Sequence, residues 1–198
     1  EVLRTRLMMA LADKGWSRVV ITSPTEGCGK TFTAVNLAIA LSRYDSCRTV
    51  LLDMDMRRPG DMARMLGARP PGSMAEFLRG GRAVESHLMR VGQNLLKIGP
   101  NLAIGLNDRM ESYASEILKH PDTTKVLRRM TEELKPDIVL YDMPSVLTHD
   151  DVLAFRHHFD AVLLVSGGGV TTADHLAEVM RRIGEGIPLL GVVLNRGE

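Results

Sequence analysis

The fold of this 198-residue chain is decided by residues 18–31, which read RVVITSPTEGCGKT. They begin as a short apolar, β-branched run and end where apolar residues take on helical spacing. A strand that leads through a glycine-containing turn into a helix is the setting of a phosphate-binding loop. In such a loop Gly27 and Gly29 let the backbone approach an anion without a Cβ in the way. Lys30 would place its charge on phosphate oxygens, and the Thr31 hydroxyl would bind Mg²⁺.

The loop departs from the general pattern GxxxxGK[ST], because Pro24 stands where the first Gly is expected. A strand–helix turn that binds no nucleotide is therefore an alternative, and two further segments weigh against it. We predict that the loop binds ATP, with Mg²⁺ as the second cofactor. The predicted nucleotide contacts in and beside the loop are Thr25, Glu26, Gly27, Cys28, Gly29, Lys30, Thr31 and Phe32.

Two acidic strand ends supply the second part of the predicted site. The apolar run at residues 49–52 leads to Asp53 and Asp55, whose i, i+2 spacing directs both side chains the same way while the chain stays extended. Two acids beside a phosphate loop suit a base and a holder of metal-bound water. Residues 138–144 read IVLYDMP, and Asp142 at the end of this apolar run is the expected second Mg²⁺ anchor.

Each of these acids also has a simpler interpretation. Asp53 and Asp55 could be solvated acids at a strand end, with Arg57 and Arg58 as their salt-bridge partners. Asp142 could serve turn chemistry alone, since strands often end in Asp. Because all three follow predicted strands beside a phosphate loop, we favour the metal-site interpretation.

Short apolar runs alternate with helical patterns along the chain. The runs are almost continuously apolar, as expected for strands buried on both faces of a parallel sheet. We therefore predict an α/β, doubly wound, mostly parallel sheet flanked by helices, of the P-loop NTPase kind, in a single domain over residues 1–198. Strands are predicted at residues 18–22, 49–52, 137–141, 161–165 and 188–194, with weaker ones near 95–98 and 102–106. Helices are predicted at residues 31–43, 61–66, 73–78, 112–119, 123–134 and 172–183, the last capped by Thr172.

Composition narrows the class of protein. With 25 Lys and Arg against 24 Asp and Glu, the net charge of +1 gives no support to nucleic-acid binding by bulk charge. Two cysteines cannot form a disulfide framework, so a reducing cytosol is the expected compartment. No run of about 18 apolar residues could span a membrane. Because the chain begins with Glu1 rather than Met, we expect it to be a fragment of a longer protein.

Taken together, these segments resemble the bacterial tyrosine kinases of exopolysaccharide and capsule assembly, P-loop proteins related to the ParA/MinD ATPases. The loop of that family is similar to SxxPGEGK[ST], which also lacks the first Gly. The matching residues here are Ser23, Gly27, Gly29, Lys30 and Thr31. Glu26 stands where the family has Pro, and Cys28 stands where it has Glu.

The resemblance extends to three more motifs. The family's DxDxR element is matched by Asp53, Asp55 and Arg57, and its DxPP run by residues 142–145 with Ser145 in place of the second Pro. Residues 191–196, GVVLNR, resemble its last core strand.

The same resemblance implies a role for each matched residue. Asp53 would be the base for a tyrosine hydroxyl, and Asn195 would contact the adenine. The predicted catalytic residues are Lys30, Asp53, Asp55 and Arg57. The predicted metal ligands are Thr31, Asp55 and Asp142.

The implied function is an ATP- and Mg²⁺-dependent tyrosine autokinase domain that regulates exopolysaccharide or capsule polymerisation and export. It would act at the inner face of the cell membrane, with a membrane polysaccharide co-polymerase or an activator segment as its partner. It could form a homo-oligomer, and no nucleic-acid partner is expected. Three scattered tyrosines replace the family's C-terminal tyrosine cluster. In the N-terminal ExxRxxR motif for subunit contact, Glu1 and Arg4 match, but Leu7 takes the last position and Arg6 lies one residue early.

These departures keep an alternative open, a ParA/MinD-like regulatory ATPase or a nucleotide-switched pseudokinase. The ParA/MinD group fits less well, because Thr25 stands at the position of its extra loop Lys.

We interpret three other polar features as structural or surface residues rather than as functional sites. A redox role for Cys28 is conceivable, but a small filler residue is the favoured interpretation. The runs at residues 149–151 (HDD) and 157–158 (HH) resemble metal ligands, and without a third convergent partner we predict a solvated loop and helix face.

Overall fold

The computed structural model describes residues 1–92 and 98–195, and within them the chain forms a seven-stranded sheet with helices on both faces. The strands are β1 (Arg18–Thr22), β2 (Thr49–Asp53), β3 (Leu88–Arg90), β4 (Leu102–Gly105), β5 (Ile138–Asp142), β6 (Ala161–Gly167) and β7 (Leu189–Asn195). The helices are α1 (Val2–Lys14), α2 (Lys30–Ser42), α3 (Asp61–Leu66), α4 (Met74–Leu78), α5 (Val84–His87), α6 (Ala114–Lys119), α7 (Pro121–Leu134), α8 (Asp151–Ala154) and α9 (Ala173–Ile183), with a 3₁₀ turn at Arg156–His158. The predicted α/β class is confirmed.

The strand order is β3-β4-β2-β5-β1-β6-β7. All neighbouring strands are parallel except β3, which runs antiparallel to β4. The central strand β1 has β5 on one side and β6 on the other, so the chain changes direction across the sheet there. Ligands of doubly wound sheets bind at the carboxyl ends of the strands beside such a switch point.

The hydrophobic core lies in two layers, because successive strand residues point to opposite faces. On one face, Val19 and Ile21 of β1 pack with residues of α1, α2 and α3. On the other face, Val20 packs with residues of α4, α6, α7, α8 and α9. All three β1 side chains are fully buried, and each contributes about 1.5–3 kcal/mol by leaving water. This packing fixes β1 firmly beneath the loop that follows it.

Most predicted elements lie within two residues of the observed ones, and Thr172 caps α9 as expected. Strand β3 was not predicted, because three residues are too few to show a pattern. Strand β7 is only half buried, with Val192 and Leu194 exposed, because it forms an edge of the sheet. The expectation that this run is buried on both faces was therefore wrong. Of the weak strand predicted near residues 95–98, residues 95–97 lie outside the described part of the chain. In the described ranges no helix is both long and apolar enough to cross a bilayer.

Candidate functional site

The loop between β1 and α2 has the backbone of an anion cradle. Gly27 and Gly29 have φ values of 80° and 84°, a region that side chains with a Cβ rarely adopt. Helix α2 begins at Lys30 with Gly29 as its N-cap, so its first N–H groups face the loop. A Cβ on Gly29 would also overlap the amide of Asn195. The loop and the helix N-terminus together suit a phosphate group.

Asn195 lies against this loop from the end of β7. Its Nδ2 donates a hydrogen bond to the backbone oxygen of Cys28 at 3.0 Å. The side chain therefore holds the loop in place, and the adenine contact predicted for it stays a prediction. Cys28 is buried, and its Sγ lies 3.5 Å from the hydroxyl of Thr171, which fits a small packed side chain.

Three carboxylates converge on Lys30 at the adjacent strand ends. Asp53 and Asp142 are aligned in the pairing of β2 with β5, and Lys30 Nζ lies 3.1 Å from Asp55 Oδ2. The three acids are between 1% and 4% exposed, so they are not the solvated acids of the simpler interpretation. The predicted loop lysine and the predicted acids thus lie in one cluster.

Burial controls the protonation of these acids. It raises the pKa of Asp142 to about 7, although Lys30 and a hydrogen bond with Thr31 act in the opposite direction. Burial, with the charges of Asp142 and Asp55, also raises the pKa of Asp53 well above its usual range. Burial alone would lower the pKa of Lys30, but the three carboxylates of Asp142, Asp55 and Glu26 outweigh it and raise that pKa. Because burial raises the pKa of both Asp53 and Asp142, these two carboxyl groups hold protons more tightly than exposed aspartates do.

The donor set fits a magnesium ion with nucleotide phosphates. Asp142 Oδ1 is buried and has no hydrogen-bond partner in the described residues, so an acceptor is left over beside the Thr31 side chain. No group of three or more His, Cys, Asp or Glu side chains in the described ranges is arranged as a metal site by itself. Mg²⁺ usually takes one or two protein oxygens and completes its shell with phosphate and water oxygens. Thr31, Asp55 and Asp142 are the residues that would hold it here.

Glu26 connects the loop to two other segments. Its Oε1 accepts a 2.6 Å hydrogen bond from the hydroxyl of Ser145, and its Oε2 lies 3.0 Å from Arg58 Nη1 and 3.5 Å from Lys30 Nζ. Sequence reasoning missed both Ser145 and Arg58 as site residues. Ser145 was visible only as a departure from a motif, and Arg58 only as a possible partner of nearby acids.

Arg57 binds a different partner from the one that the simpler interpretation gave it. Its Nε and Nη2 bind both carboxylate oxygens of Asp151 at 3.0 and 2.8 Å, and its Nη1 donates to the backbone oxygen of Ser112. Asp151 is fully buried, so the prediction of a solvated HDD loop was wrong for this residue. The ion pair with Asp53 and Asp55 is not formed either, although the Arg57 backbone N–H donates to Asp55 Oδ1.

An open cleft of about 530 Å³ lies over the loop. Phe32, 54% exposed, is among its lining residues together with Met65, which gives the cleft an apolar side. The other lining residues are Glu26, Gly27, Gly29, Lys30, Thr31, Arg58, Asp61 and Arg64. Of the predicted loop contacts, Thr25 and Cys28 do not line it.

The similarity of this chain to known proteins supports a nucleotide-binding site at this position. The family model described as the CobQ/CobB/MinD/ParA nucleotide binding domain matches residues 19–198. The chain belongs to this family. That range includes every residue of the loop and of the acidic cluster, so the nucleotide-binding family and the site geometry agree.

Within the family, the chain is similar to tyrosine kinases. It is 30% identical to the putative tyrosine-protein kinase EpsB of Ralstonia solanacearum over 98% of its own length and 24% of that protein. It matches the solved BceF tyrosine kinase domain at 28% identity and a TM-score of 0.79, covering 98% of this chain and 74% of that one. The resemblance predicted from the motifs is confirmed. The chain spans about a quarter of the length of the curated relatives it matches.

The fold is also shared with a nucleotide-bound protein that is not named as a kinase. The septum site-determining protein MinD of Pyrococcus horikoshii, solved in complex with Mg-ADP, matches at 19% identity and a TM-score of 0.66, over 91% of this chain and 70% of that one. Nucleotide and magnesium are thus found in a neighbour of the same fold. The higher TM-score of the kinase domain favours the kinase-like branch of the family.

Proposed function

We propose that this chain is the catalytic domain of an ATP- and Mg²⁺-dependent protein-tyrosine kinase. The observation that carries the proposal is the contact of Lys30 with Asp55, with Asp53 and Asp142 buried at the same strand ends beside the loop. The similarity to named tyrosine-protein kinases over almost the whole chain supports the same conclusion.

Each residue of the site has a separate role in phosphoryl transfer. The loop N–H groups and Lys30 bind and neutralise the phosphates, and Thr31 with Asp55 and Asp142 would hold Mg²⁺. When bound, the ion supplies charge neutralisation at the reacting phosphate oxygens. Asp53 accepts the proton of the tyrosine hydroxyl while the tyrosine oxygen forms a bond to the γ-phosphorus. The bond between the γ-phosphorus and the β–γ bridging oxygen breaks, and ADP leaves with that oxygen. In its ionised form Asp53 is a stronger base than an ordinary carboxylate, because burial raises its pKa.

We propose that the acceptor tyrosines and the partner segments lie outside this chain. The relatives are about four times the length of the matched segment, which leaves room for a membrane segment and an acceptor tail. We propose a cytoplasmic domain at the inner face of the membrane, activated by a co-polymerase or activator segment, in the service of exopolysaccharide or capsule export. Assembly into a homo-oligomer is part of the same proposal.

Phosphotyrosine formation tests this function directly. The longest natural form is incubated with MgATP and its activator segment and probed for phosphotyrosine, beside Lys30→Met and the exposed control Lys14→Met. We expect signal in the parent and in Lys14→Met, and none in Lys30→Met. Bound ATP without phosphotyrosine in the parent would overturn the kinase assignment.

A nucleotide-switched ATPase or pseudokinase is the second candidate. It is favoured by one departure within the chain: Leu7 takes the last position of the ExxRxxR subunit-contact motif, and Arg6 lies one residue early. It predicts phosphate release, or ATP-dependent association, without phosphotyrosine in the same samples.

A further inference from the structure

Glu26 places a carboxylate beside the lysine that is expected to receive the phosphates. Its Oε2 lies 3.5 Å from Lys30 Nζ, and its side chain is about one-third exposed at the edge of the nucleotide cleft. Burial would raise the pKa of Glu26, but the hydrogen bond from Ser145 and the charges of Lys30 and Arg58 together lower it. The carboxylate is therefore ionised at neutral pH, and a nucleotide phosphate on Lys30 would meet a like charge.

The same carboxylate has two anchors that do not involve Lys30. Ser145 donates to Oε1 at 2.6 Å, and Arg58 Nη1 lies 3.0 Å from Oε2, closer than Lys30. Arg58 is 58% exposed, so its guanidinium can follow a small rotation of the Glu26 carboxylate. These two contacts can keep the charge satisfied when Lys30 turns to another anion.

Two of these residues are departures from the family's motifs, and they contact each other. Glu26 and Ser145 both stand where the family pattern has Pro, and they are 119 residues apart in the chain. A proline at either position has no polar side-chain atom and could not form this hydrogen bond.

We propose that Glu26 competes with nucleotide phosphate for Lys30 and so sets the nucleotide affinity of the loop, while Arg58 and Ser145 retain its carboxylate when phosphate takes Lys30. The inference rests on the proposed nucleotide site and adds an affinity-determining residue to it. It predicts that removing the charge of Glu26 strengthens binding. It also predicts that removing Arg58 weakens binding only while Glu26 is charged.

Calorimetric titration with MgATP and MgADP tests both statements on the parent, Glu26→Gln, Arg58→Gln and the double variant. Gln keeps the oxygen that accepts from Ser145, so only the charge is lost, and Glu132→Gln on an exposed face of α7 is the matched control. We expect Glu26→Gln to bind about tenfold more tightly, about 1.4 kcal/mol. Arg58→Gln should bind several-fold more weakly in the parent and change little in the Glu26→Gln background. Thermal melting of each variant without nucleotide confirms that all are folded.

The outcomes separate this inference from the function on which it rests. If the parent binds nucleotide and Glu26→Gln binds no more tightly, the competition is refuted and the nucleotide site stands. Equal effects of Arg58→Gln in both backgrounds would refute the role of Arg58 as anchor. If folded parent and Glu26→Gln both fail to bind either nucleotide, the proposed function falls and the inference with it.

Discussion

Replacing Arg57 by Ala should destabilise the protein far more than the same change at its neighbour Arg58. Arg57 binds Asp151 with two hydrogen bonds of 2.8 and 3.0 Å, and its third nitrogen binds a backbone oxygen. The Arg57 side chain is 19% exposed and that of Asp151 is 0% exposed. Without the guanidinium, the Asp151 carboxylate would remain buried and would have no positive charge beside it.

The size of the effect follows from this geometry. Two unit charges about 4 Å apart attract by roughly 4 kcal/mol at the effective dielectric constant of a partly buried pair. Breaking a buried pair by removing one partner typically costs about 3–5 kcal/mol. We expect a loss of about 3 kcal/mol in unfolding free energy, the lower end of this range, because the Arg57 side chain is 19% exposed and water partly screens the pair. For a domain of this size that corresponds to roughly 6–12 °C in melting temperature.

Arg58→Ala is the matched control, since it removes the same side chain from the next position. Its ion pair with Glu26 lies at the surface, with Arg58 58% exposed, and such pairs contribute about 0–1 kcal/mol. Urea denaturation of both variants measures the difference, and Arg57→Ala with Asp151→Asn should recover part of the loss. Equal destabilisation by the two arginine variants would refute the structural role of Arg57, and the catalytic role expected for it stays a separate prediction.

Three further predictions concern the acidic cluster, the loop and the acceptor. Burial raises the pKa of Asp142 to about 7, so the folded protein holds a proton that the unfolded chain has released, and stability falls as pH rises from about 4 to about 7. Asp142→Asn without divalent cation should therefore gain stability relative to the parent between about pH 5 and about pH 8. Urea denaturation measures the unfolding free energy of both proteins, and a difference between them that does not change with pH would contradict this. Gly29→Ala should lose nucleotide binding in calorimetry, because φ is +84° and its Cβ would overlap a β7 side chain, whereas Gly27→Ala meets open space and should lose less; the reverse order would argue against the loop geometry. Mass spectrometry after incubation with MgATP should find any phosphotyrosine of this segment on Tyr113 or Tyr44, 64% and 39% exposed, rather than on Tyr141, 2% exposed; modification of Tyr141 in folded protein would contradict the described core.

Several features were predictable because their signal is local in the sequence. The apolar run, the glycines and Lys30 stand next to each other, so a strand, a loop and a helix could be predicted from one stretch. Asp53 and Asp142 were predictable because each directly follows an apolar run, and parallel strands end at the same edge of a sheet. Burial on both faces was correctly expected for the central strands.

Edge effects could not be predicted in the same way. The run at β7 is as apolar as the central ones, and only its place at the edge of the sheet leaves Val192 and Leu194 exposed. Strand β3 is defined by its antiparallel pairing with β4 rather than by its own three residues.

The sequence by itself therefore determined the class of fold, the phosphate loop and the acids that belong with it. Only the tertiary structure decided which distant side chains meet: Arg57 with Asp151, Glu26 with Ser145, and Asn195 with the loop at Cys28. The residues of these pairs are 94, 119 and 167 positions apart. Local propensity specifies only the backbone conformation of a segment. Contacts between distant residues depend on the order of the strands in the sheet. They also depend on burial, because a buried charge or amide needs a polar partner.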